Sequence, residues 1–537
     1  MKKILIYIIV FSGLFGIGCT KNFDSINTDP TRASTSSFDA NLLLPSIEWS
    51  FASGTVGYAG PILFQSMWVQ ILASTTSGSA NYYSNADKYL ATTGTFSYVI
   101  GSWNNVYGAR GSAVELENLT KDKPNQSNLN AMATILRVLA TQDLTDKYGD
   151  IPSSQASQGK AGVTLPVYDK QQAIYTAMLT DLDAAVTKLD ATKPVTSSDA
   201  LSYKGDITKW KKFGYSLMLR IAMRLTKVDV ATAKTYAEKA AAGGTIANVA
   251  GDAYIQGDDP HGYTNGNASA LATAGDLYEV RWSKTMIDYL KANADLRLSV
   301  IADVPAAGLK GSNDPATGST DPLVQIGLPN GYDLNGGATD ISKSPGYPGA
   351  SGAGADITPI GKYSRPKSSL YRNRSGAIFI MSYATSELLL AEAAARGWNA
   401  GGVSASVHYQ NAVAGALQSL AVLGPDGIIP PATAVAYAAS KPLDVSSMAN
   451  SLKQINEQYW ATTGTVLNFV EAWNNWKRSG YPVLTPVNYT GNFSGGTIPR
   501  REIYPVSEPS LNPAGYTAAV AGMTGGDTWT TRVWWDK

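Results

Sequence analysis

Apolar residues at helical spacing are the feature that most constrains how this chain can fold. They form stripes in two separate blocks, about residues 41–245 and 380–480. The clearest stripes are Met132, Ile135, Leu136, Leu139, Leu144 and Tyr148; Ile174, Met178, Leu182, Val186 and Leu189; Trp210, Phe213, Leu217, Ile221 and Leu225; and Val466, Phe469, Val470, Trp473 and Trp476. Helices of this length joined by short loops predict a mainly α fold of tetratricopeptide-like pairs, with a generic helical bundle as the alternative.

Between the two helical blocks the sequence changes character. Residues from about 250 to 375 are rich in Gly, Asn, Asp, Pro and Ser, as in NDPATGSTDP and YPGASGAGAD, and they predict a loop-rich insertion. Residues 481–537 are turn-rich and predict an irregular C-terminal tail. We therefore expect a single domain over residues 41–537, in which helix pairs pack against a more irregular half.

The first nineteen residues resemble a bacterial export signal that ends in a lipid-carrying cysteine. Lys2 and Lys3 precede an apolar run of about 15 residues, which is shorter than the roughly 20 that a membrane-spanning helix needs. Cys19, the only cysteine, follows small residues. We predict a signal peptide over residues 1–18, lipid attachment at Cys19 and a polar tether over residues 19–40. Gly16 departs from the usual leucine of such signals, and the alternatives for Cys19 are a free buried thiol or an incidental residue of a secretory signal.

Charge and composition exclude several classes of function. The net charge is +1 and 16% of the residues are charged, which gives no electrostatic basis for binding nucleic acid or an anionic membrane surface. A single cysteine excludes disulfides and cysteine-based zinc sites, and His261 and His408 are the two imidazoles of the sequence. The sequence contains no recognisable catalytic motif, so we predict that the chain is not an enzyme.

Short segments spread along the whole chain resemble the SusD/RagB family of outer-membrane nutrient-binding lipoproteins. In chain order they are NFDSINTDP, WNNVYGARGSAVELEN, LTDKYGDIP, YATSELLLAEAAARGW, HYQNAVAGAL, EAWNNWKRSGYP, IPRREIYPVSE and DTWTTRVWWDK. The resemblance implies a tetratricopeptide-like scaffold, a lipid anchor in the outer membrane facing the cell exterior, and capture of a nutrient for a SusC-like TonB-dependent transporter. We expect the motif residues to be structural, with Arg500, Arg501 and Glu502 in one ion-pair network.

Two loop stretches combine aromatic rings with polar side chains, which is the mixture that binds sugars. A sugar presents C–H groups that stack on an aromatic face and hydroxyl groups that hydrogen-bond at its edge. The candidates are Trp68, Asn81, Tyr82 and Tyr83 in the first stretch, and Tyr263, Tyr278, Arg281 and Trp282 in the second. Packing of these loops on the helical core is the alternative for each candidate. Trp103, Trp473 and Trp476 lie on helical stripes and are expected in the core.

The ligand is predicted to be an oligosaccharide or polysaccharide delivered to the transporter. An oligopeptide, as in the RagB branch, is the first alternative. A secreted glycoside hydrolase, which needs two carboxylates about 5–10 Å apart, is a weaker one, and an adhesin is a further one. No cofactor is expected, but Asp252, Asp258 and Asp259 are candidates for a structural calcium site, although the sequence has no EF-hand spacing.

Overall fold

Helices dominate the computed structural model of the chain, which describes residues 38–75, 82–91, 93–196, 198–273, 280–305, 318–350 and 361–537. Asn41–Lys537 forms one compact unit, and the longer helices and all the described strands belong to it. The predicted signal peptide, Cys19 and the tether up to residue 37 lie outside the described residues.

The longer helices fall mainly in the two blocks that carry the apolar stripes. They are α1 (Leu43–Gly54), α2 (Thr93–Thr120), α3 (Ser127–Tyr148), α4 (Gln171–Lys188), α5 (Ile207–Arg224), α6 (Val230–Gly243), α7 (Lys284–Ala292), α8 (Tyr383–Ala395), α9 (Ala405–Gln418), α10 (Pro431–Ala439), α11 (Met448–Thr465), α12 (Phe469–Ser479) and α13 (Pro513–Ala521). Shorter α-helices cover Gln65–Trp68, Tyr82–Asp87, Gly266–Ala272, Leu298–Ile301, Ser368–Tyr371 and Glu508–Leu511. The predicted mainly α fold is confirmed.

Each scaffold helix packs against its neighbour along the chain. In the first block α2 packs on α3, α3 on α4 and α5 on α6; in the second, α8 packs on α9 and α11 on α12. The two blocks join where α5 packs on α8, which also contacts α11. A helix whose apolar face is covered by the next helix in this way is the unit of tetratricopeptide-like folds, so this part of the prediction is also confirmed.

Short antiparallel ribbons organise the irregular half. The first, β1 (Leu72–Ala73) with β5 (Arg281–Trp282), joins the first helical block to the insertion. The other ribbons are β2 (Ile151–Pro152) with β3 (Tyr168–Asp169), β4 (Ala253–Gln256) with β9 (Ala377–Met381), and β6 (Ala302–Pro305) between β7 (Gly318–Ser319) and β8 (Arg365–Pro366). β4 lies at the start of the insertion and β9 follows its end, with Gln256 opposite Ala377. The two ends of the insertion are therefore side by side in one ribbon.

One hydrophobic core joins the helical scaffold to the irregular half. The ring of Trp68 lies 5.3 Å from that of Trp473 in α12 and 5.6 Å from that of Trp529 in the tail, measured between centroids. The same cluster contains Trp282 of the insertion and Trp460 of α11. Large aromatic side chains dominate the energetics of a core, so these contacts make the insertion, the tail and the scaffold depend on one another for stability.

The motifs around Tyr148 and Arg501 bind to each other. The Tyr148 hydroxyl donates to Glu502 Oε2 at 2.6 Å, and the Arg501 guanidinium donates to the Tyr148 carbonyl at 2.9 Å. Arg500 pairs with Asp536 at 2.8 Å, whereas Arg501 pairs with a different aspartate of the tail. The expected single ion-pair network is therefore wrong in detail, because the three residues have separate partners. The two bonds to Tyr148 fix the C-terminal segment to the end of α3, whereas the two ion pairs lie within that segment.

A buried ion-pair cluster ties α8 to α12. Arg478 donates to both carboxylate oxygens of Glu392, at 2.6 and 2.7 Å, and Arg396 adds a bond of 2.8 Å. Burial alone would raise the pKa of Glu392, but the charge and hydrogen bonds of Arg478, aided by Arg396, outweigh it and lower the pKa to about 2. Glu392 therefore stays ionised in the folded protein at neutral and mildly acidic pH.

Candidate functional site

The two stretches predicted to bind ligand meet at the ribbon of β1 and β5. Leu72 lies opposite Trp282 and Ala73 opposite Arg281. The Ser283 backbone N–H extends the pairing by donating to the Ile71 carbonyl at 3.0 Å. Segments about two hundred residues apart in sequence are thus placed side by side, which a reading of each stretch alone does not reveal.

Most of the described candidates for ligand contact are buried, which corrects the prediction for them. Trp68 is 1% exposed, and Tyr83, Arg281 and Trp282 are 0% exposed. The Trp282 indole N–H donates to the Ile301 carbonyl at 3.1 Å, so both the ring and its polar edge are used internally. These side chains fill the junction between the insertion and the scaffold. The alternative interpretation, in which they pack on the helical core, therefore applies to them.

The remaining candidates have different placements. Asn81 and Tyr278 lie outside the described residues, and Tyr82 begins the short helix Tyr82–Asp87. Tyr263 is 49% exposed, and its ring meets that of Trp49 edge to face at a centroid distance of 5.1 Å. Tyr263 therefore keeps an exposed aromatic surface.

The three carboxylates considered for calcium have separate protein partners. Asp252 accepts hydrogen bonds from the Tyr383 backbone N–H at 2.7 Å and the Ser419 hydroxyl at 2.6 Å, and burial raises its pKa to about 7. Asp258 contacts a histidine and Asp259 an arginine. Within the described ranges, no three His, Cys, Asp or Glu side chains form a group that could hold a metal ion.

A cleft of about 470 Å³ lies beside the β1–β5 ribbon. Its walls come from three parts of the chain: the residues flanking the ribbon, the loop 329–339 and the tail segment 485–488. The lining residues are Gln70, Lys284, Thr285, Asp288, Pro329, Asn330, Gly331, Tyr332, Ala338, Thr339, Thr485, Pro486, Val487 and Asn488. We refer to this site as the polar cleft. Its volume lies within the roughly 300–1,000 Å³ of small-molecule sites.

Hydrogen bonds to buried groups hold the loop 329–339 against the ribbon. The Asp87 carboxylate accepts from the Asn330 amide and from the Gly331 backbone N–H, the latter at 2.6 Å. Asn330 also donates to the Leu72 carbonyl at 2.9 Å. Burial raises the pKa of Asp87 to about 6, although the charge of Lys88 opposes the shift. The loop is thus docked on β1 through a side chain that the fold itself shields from water.

The tail wall is connected to the other two walls. Gln70 donates to the Thr485 carbonyl at 2.6 Å and accepts from the Thr285 hydroxyl at 2.8 Å. The Tyr489 hydroxyl donates to Asp333 at 2.8 Å, which joins the tail to the loop. A cleft whose walls are bonded in this way loses little conformational entropy when a ligand enters.

Tyr332 gives the polar cleft an aromatic ring on an apolar support. It is half-buried and packs, with Tyr347, against a small cluster that includes Leu328, Ile341 and Tyr363. The support fixes the position of the ring, and a tyrosine combines a flat apolar face with a polar edge. Tyr332 is therefore the side chain of the cleft best suited to stack on a ligand.

The other side chains of the polar cleft suit a neutral, hydroxylated ligand. The amides of Gln70 and Asn330 line the cleft but bond to the protein, and the exposed Asn488 amide provides both a donor and an acceptor. Lys284 and Asp288 form an ion pair with each other, so the lining carries little uncompensated charge. Asp288 is the only carboxylate among the described lining residues, and the lining therefore lacks the pair that a glycoside hydrolase requires.

Sequence reasoning missed Tyr332 and its neighbours. The run PNGYDLNGGATD contains the same combination of an aromatic ring, amides and turn residues that singled out the two other stretches. This signal was available in the sequence. Its association with Gln70 and Asn488 was not, since those residues approach the loop only through the tertiary fold.

Solved structures with the same fold include several named as SusD homologues. A structure named a chitin-binding protein is 29% identical, with a TM-score of 0.77 over 93% of this chain and 100% of that chain. A chitin-binding SusD homologue from Flavobacterium johnsoniae is 24% identical, with a TM-score of 0.71 over 92% of this chain and 98% of that one. A SusD-like protein from Bacteroides thetaiotaomicron is 23% identical, with a TM-score of 0.71, covering 93% and 99%. No curated protein sequence matches the chain.

A family model spanning residues 34–505 matches the chain, and its description reads "Starch-binding associating with outer membrane". This description and the names of the structural neighbours denote binding proteins, in agreement with the prediction that the chain is not an enzyme. Among the described helices, none has both the length and the apolarity to cross a bilayer. The fold and the match over most of its length establish that the chain belongs to the SusD-like family of binding proteins associated with the outer membrane.

Proposed function

We propose that this protein is a lipid-anchored lipoprotein of the cell surface that binds an oligosaccharide in the polar cleft and delivers it to a SusC-like TonB-dependent transporter. The observation that carries the proposal is the lining of the cleft, in which Tyr332 lies among amides and hydroxyls on mutually bonded walls. A sugar ring needs both an apolar face to stack on and hydrogen-bonding partners at its edge, and the cleft provides both.

Chitin oligosaccharides are the first ligands to test. The structural neighbour with 29% identity is named a chitin-binding protein. The N-acetyl groups of chitin each carry one amide donor and one amide acceptor, which match the exposed side-chain amide of Asn488, whereas the N–H groups of Asn330 are bonded within the protein. Starch oligosaccharides, named in the family description, carry hydroxyls only and provide a direct comparison.

Replacement of Tyr332 by alanine is expected to weaken oligosaccharide binding about 10- to 30-fold, or about 1.4–2 kcal/mol, because the ring is the anchored aromatic surface of the cleft. Isothermal titration calorimetry of the purified full chain with chitohexaose and maltoheptaose measures the effect. Tyr332→Phe should retain most of the affinity, since it keeps the ring and removes only the hydroxyl.

Tyr263→Ala is the matched control, because Tyr263 is an exposed tyrosine that does not line the polar cleft. Its affinity should equal that of the wild type. Loss of affinity in Tyr263→Ala with none in Tyr332→Ala would place the site at the Trp49–Tyr263 pair instead. Binding of a peptide panel with no response to either oligosaccharide would support the RagB-like alternative.

Replacement of Cys19 by serine is expected to release the protein from the membrane, because it removes the thiol that acylation requires. Stable anchoring needs more than one acyl chain, at about 0.8 kcal/mol per buried CH₂, so an unacylated chain has no comparable hold on a bilayer. Fractionation of native cells and mass spectrometry of the N-terminus measure the change.

The wild-type protein should fractionate with the outer membrane, be digested by protease added to intact cells, and co-purify with a barrel transporter in mild detergent. An unmodified wild-type N-terminus would contradict the lipid anchor. Recovery of the wild-type protein without any barrel partner would contradict the delivery role, while leaving the binding proposal to the calorimetric test.

A further inference from the structure

A second cleft, of about 700 Å³, lies between the end of α3, the start of α4 and the C-terminal segment. Its walls comprise residues 148–150, 170–172, 522–524 and 530–534, none of which lines the polar cleft. We refer to it as the tail cleft. We propose that the tail cleft is a second binding site for a neutral oligosaccharide.

Trp534 lines the tail cleft, and its neighbours in the chain hold its backbone in place. The next residue, Trp535, is buried, and its indole N–H donates to Asp146 at 3.0 Å. Asp536 is also buried and accepts from Arg500 at 2.8 Å. Trp534 lines the cleft and is only half-buried. The anchored neighbours hold the backbone of Trp534 in place, so part of its indole ring is available to a ligand without rearrangement.

Ion pairs compensate the charges around the tail cleft. Asp150 accepts from the Gln171 backbone N–H at 2.9 Å and pairs with Lys170 at 2.8 Å. Arg532 pairs with Asp536 at 3.0 Å. Because Lys170, Arg501 and Arg532 have carboxylate partners within the protein, most of the charge in the lining is compensated, and a neutral ligand loses less solvation free energy on entering the cleft than a charged one.

Two buried side chains of the lining have hydrogen-bonding atoms without partners. Gln171 and Arg501 are each 1% exposed. The Gln171 amide donates to the Thr145 carbonyl at 2.6 Å, but its Oε1 has no partner, and the same is true of Arg501 Nε, within the part of the chain that the structure describes. An unmade bond at a buried group costs about 1–3 kcal/mol, so each atom gains from a ligand or a water that reaches it.

The unpaired acceptor and the unpaired donor together match a hydroxyl group, which both donates and accepts. Gln171 and Arg501 both line the tail cleft together with Trp534, whose indole offers a face for the C–H side of a sugar ring. Three properties of the tail cleft favour a neutral oligosaccharide as its ligand. They are an aromatic face, hydrogen-bonding partners of both kinds and compensated charge.

The second site depends on the proposed function only for the choice of probe. Calorimetry of the full chain with chitohexaose and maltoheptaose should fit two sites in the wild type. Trp534→Ala should weaken the tail-cleft site alone and Tyr332→Ala the polar-cleft site alone, each by about 10- to 30-fold, and the double variant should weaken both. Trp49→Ala, which removes another half-buried indole, is the matched control and should retain both sites. Binding to insoluble chitin or starch should fall by about 100-fold in Trp534→Ala, since two linked sites increase avidity by that order.

Hydroxyl-radical footprinting of the unmutated chain provides a readout that does not depend on the folding of a variant. Either probe should protect Trp534 and Met523, which both line the tail cleft, from oxidation. Protection of Trp534 that persists in Tyr332→Ala supports the second site independently of the polar cleft. Protection of Tyr332 without protection of Trp534 overturns the second site and leaves the polar cleft intact, whereas no protection at either residue overturns both.

Discussion

Replacement of Glu392 by alanine is expected to lower the free energy of unfolding by about 3–5 kcal/mol, the usual cost of removing one partner of a buried ion pair. Glu392 is 1% exposed and accepts hydrogen bonds from Arg478 and Arg396. Without the carboxylate, the buried Arg478 guanidinium loses its counter-charge at the contact between α8 and α12. Urea denaturation of the full chain at neutral pH measures the change.

The pH dependence of stability gives the same cluster a second test. The pKa of Glu392 is about 2 in the folded protein, below its ordinary value of 4.5. A lowered folded-state pKa contributes stability that is complete above pH 4.5 and is lost as pH falls towards 2. The difference in unfolding free energy between the wild type and Glu392→Gln should therefore shrink over that interval.

A solvent-exposed ion pair provides the control for Glu392. Lys160 contacts Glu115 at 2.8 Å with 83% of its side chain exposed, so Lys160→Ala should leave stability unchanged within error. If Glu392→Ala is as stable as Lys160→Ala, or if the difference between wild type and Glu392→Gln grows on acidification, the account of the cluster is wrong.

The helical scaffold could be predicted from the sequence because the apolar stripes that recur at helical spacing are buried in the fold. The stripe from Met132 to Tyr148 is buried in α3, and the stripe from Ile174 to Leu189 is buried in and just after α4. A helix repeats every 3.6 residues, so burial of one face leaves a periodic trace that a single sequence reveals. Contacts between distant helices, such as α5 with α8, leave no such trace.

The irregular half could not be predicted in the same way. Its ribbons are as short as two residues, as in β1 and β5, and a period cannot be read from two positions. Trp68 and Trp282 lie in segments of this kind and have the composition expected of a ligand-binding loop, yet both belong to the core. Composition therefore singled out these aromatic residues but could not tell an exposed ring from one that packs in the core, and it did not reveal that Trp68 lies in a short helix and Trp282 in a strand.

The residues that line the polar cleft could not be predicted from the sequence either. Gln70, Tyr332 and Asn488 come from three distant segments, and bonds such as Gln70 to Thr485 bring those segments together. The buried aromatic residues and the cleft are related, since the packing of Trp282 and its neighbours fixes the ribbon on which the loop 329–339 docks. The packing of Trp282 and its neighbours thus supports the ribbon beside the polar cleft, whereas other residues line the cleft itself.

Trp68 allows this distinction to be tested, and its replacement by alanine is expected to cost about 3–5 kcal/mol of stability, as for other large aromatic residues removed from a core. The ring contacts those of Phe64, Trp473 and Trp529. Its indole N–H has no hydrogen-bond partner in the described part of the chain, so Trp68→Phe should lose much less stability than Trp68→Ala.

Ligand affinity separates the structural role of Trp68 from a binding role. At a temperature where Trp68→Phe is fully folded, its affinity for chitohexaose or maltoheptaose should equal that of the wild type, because Trp68 does not line the polar cleft. Tyr332→Ala should show the reverse pattern, with weakened binding and nearly unchanged urea stability, since its ring is only half-buried. A Trp68→Phe variant with full stability but lost affinity would contradict this account. Trp68 would then have to reach the ligand through a conformation in which its contacts with Trp473 and Trp529 are broken. In that case the core would not be a rigid support for the polar cleft.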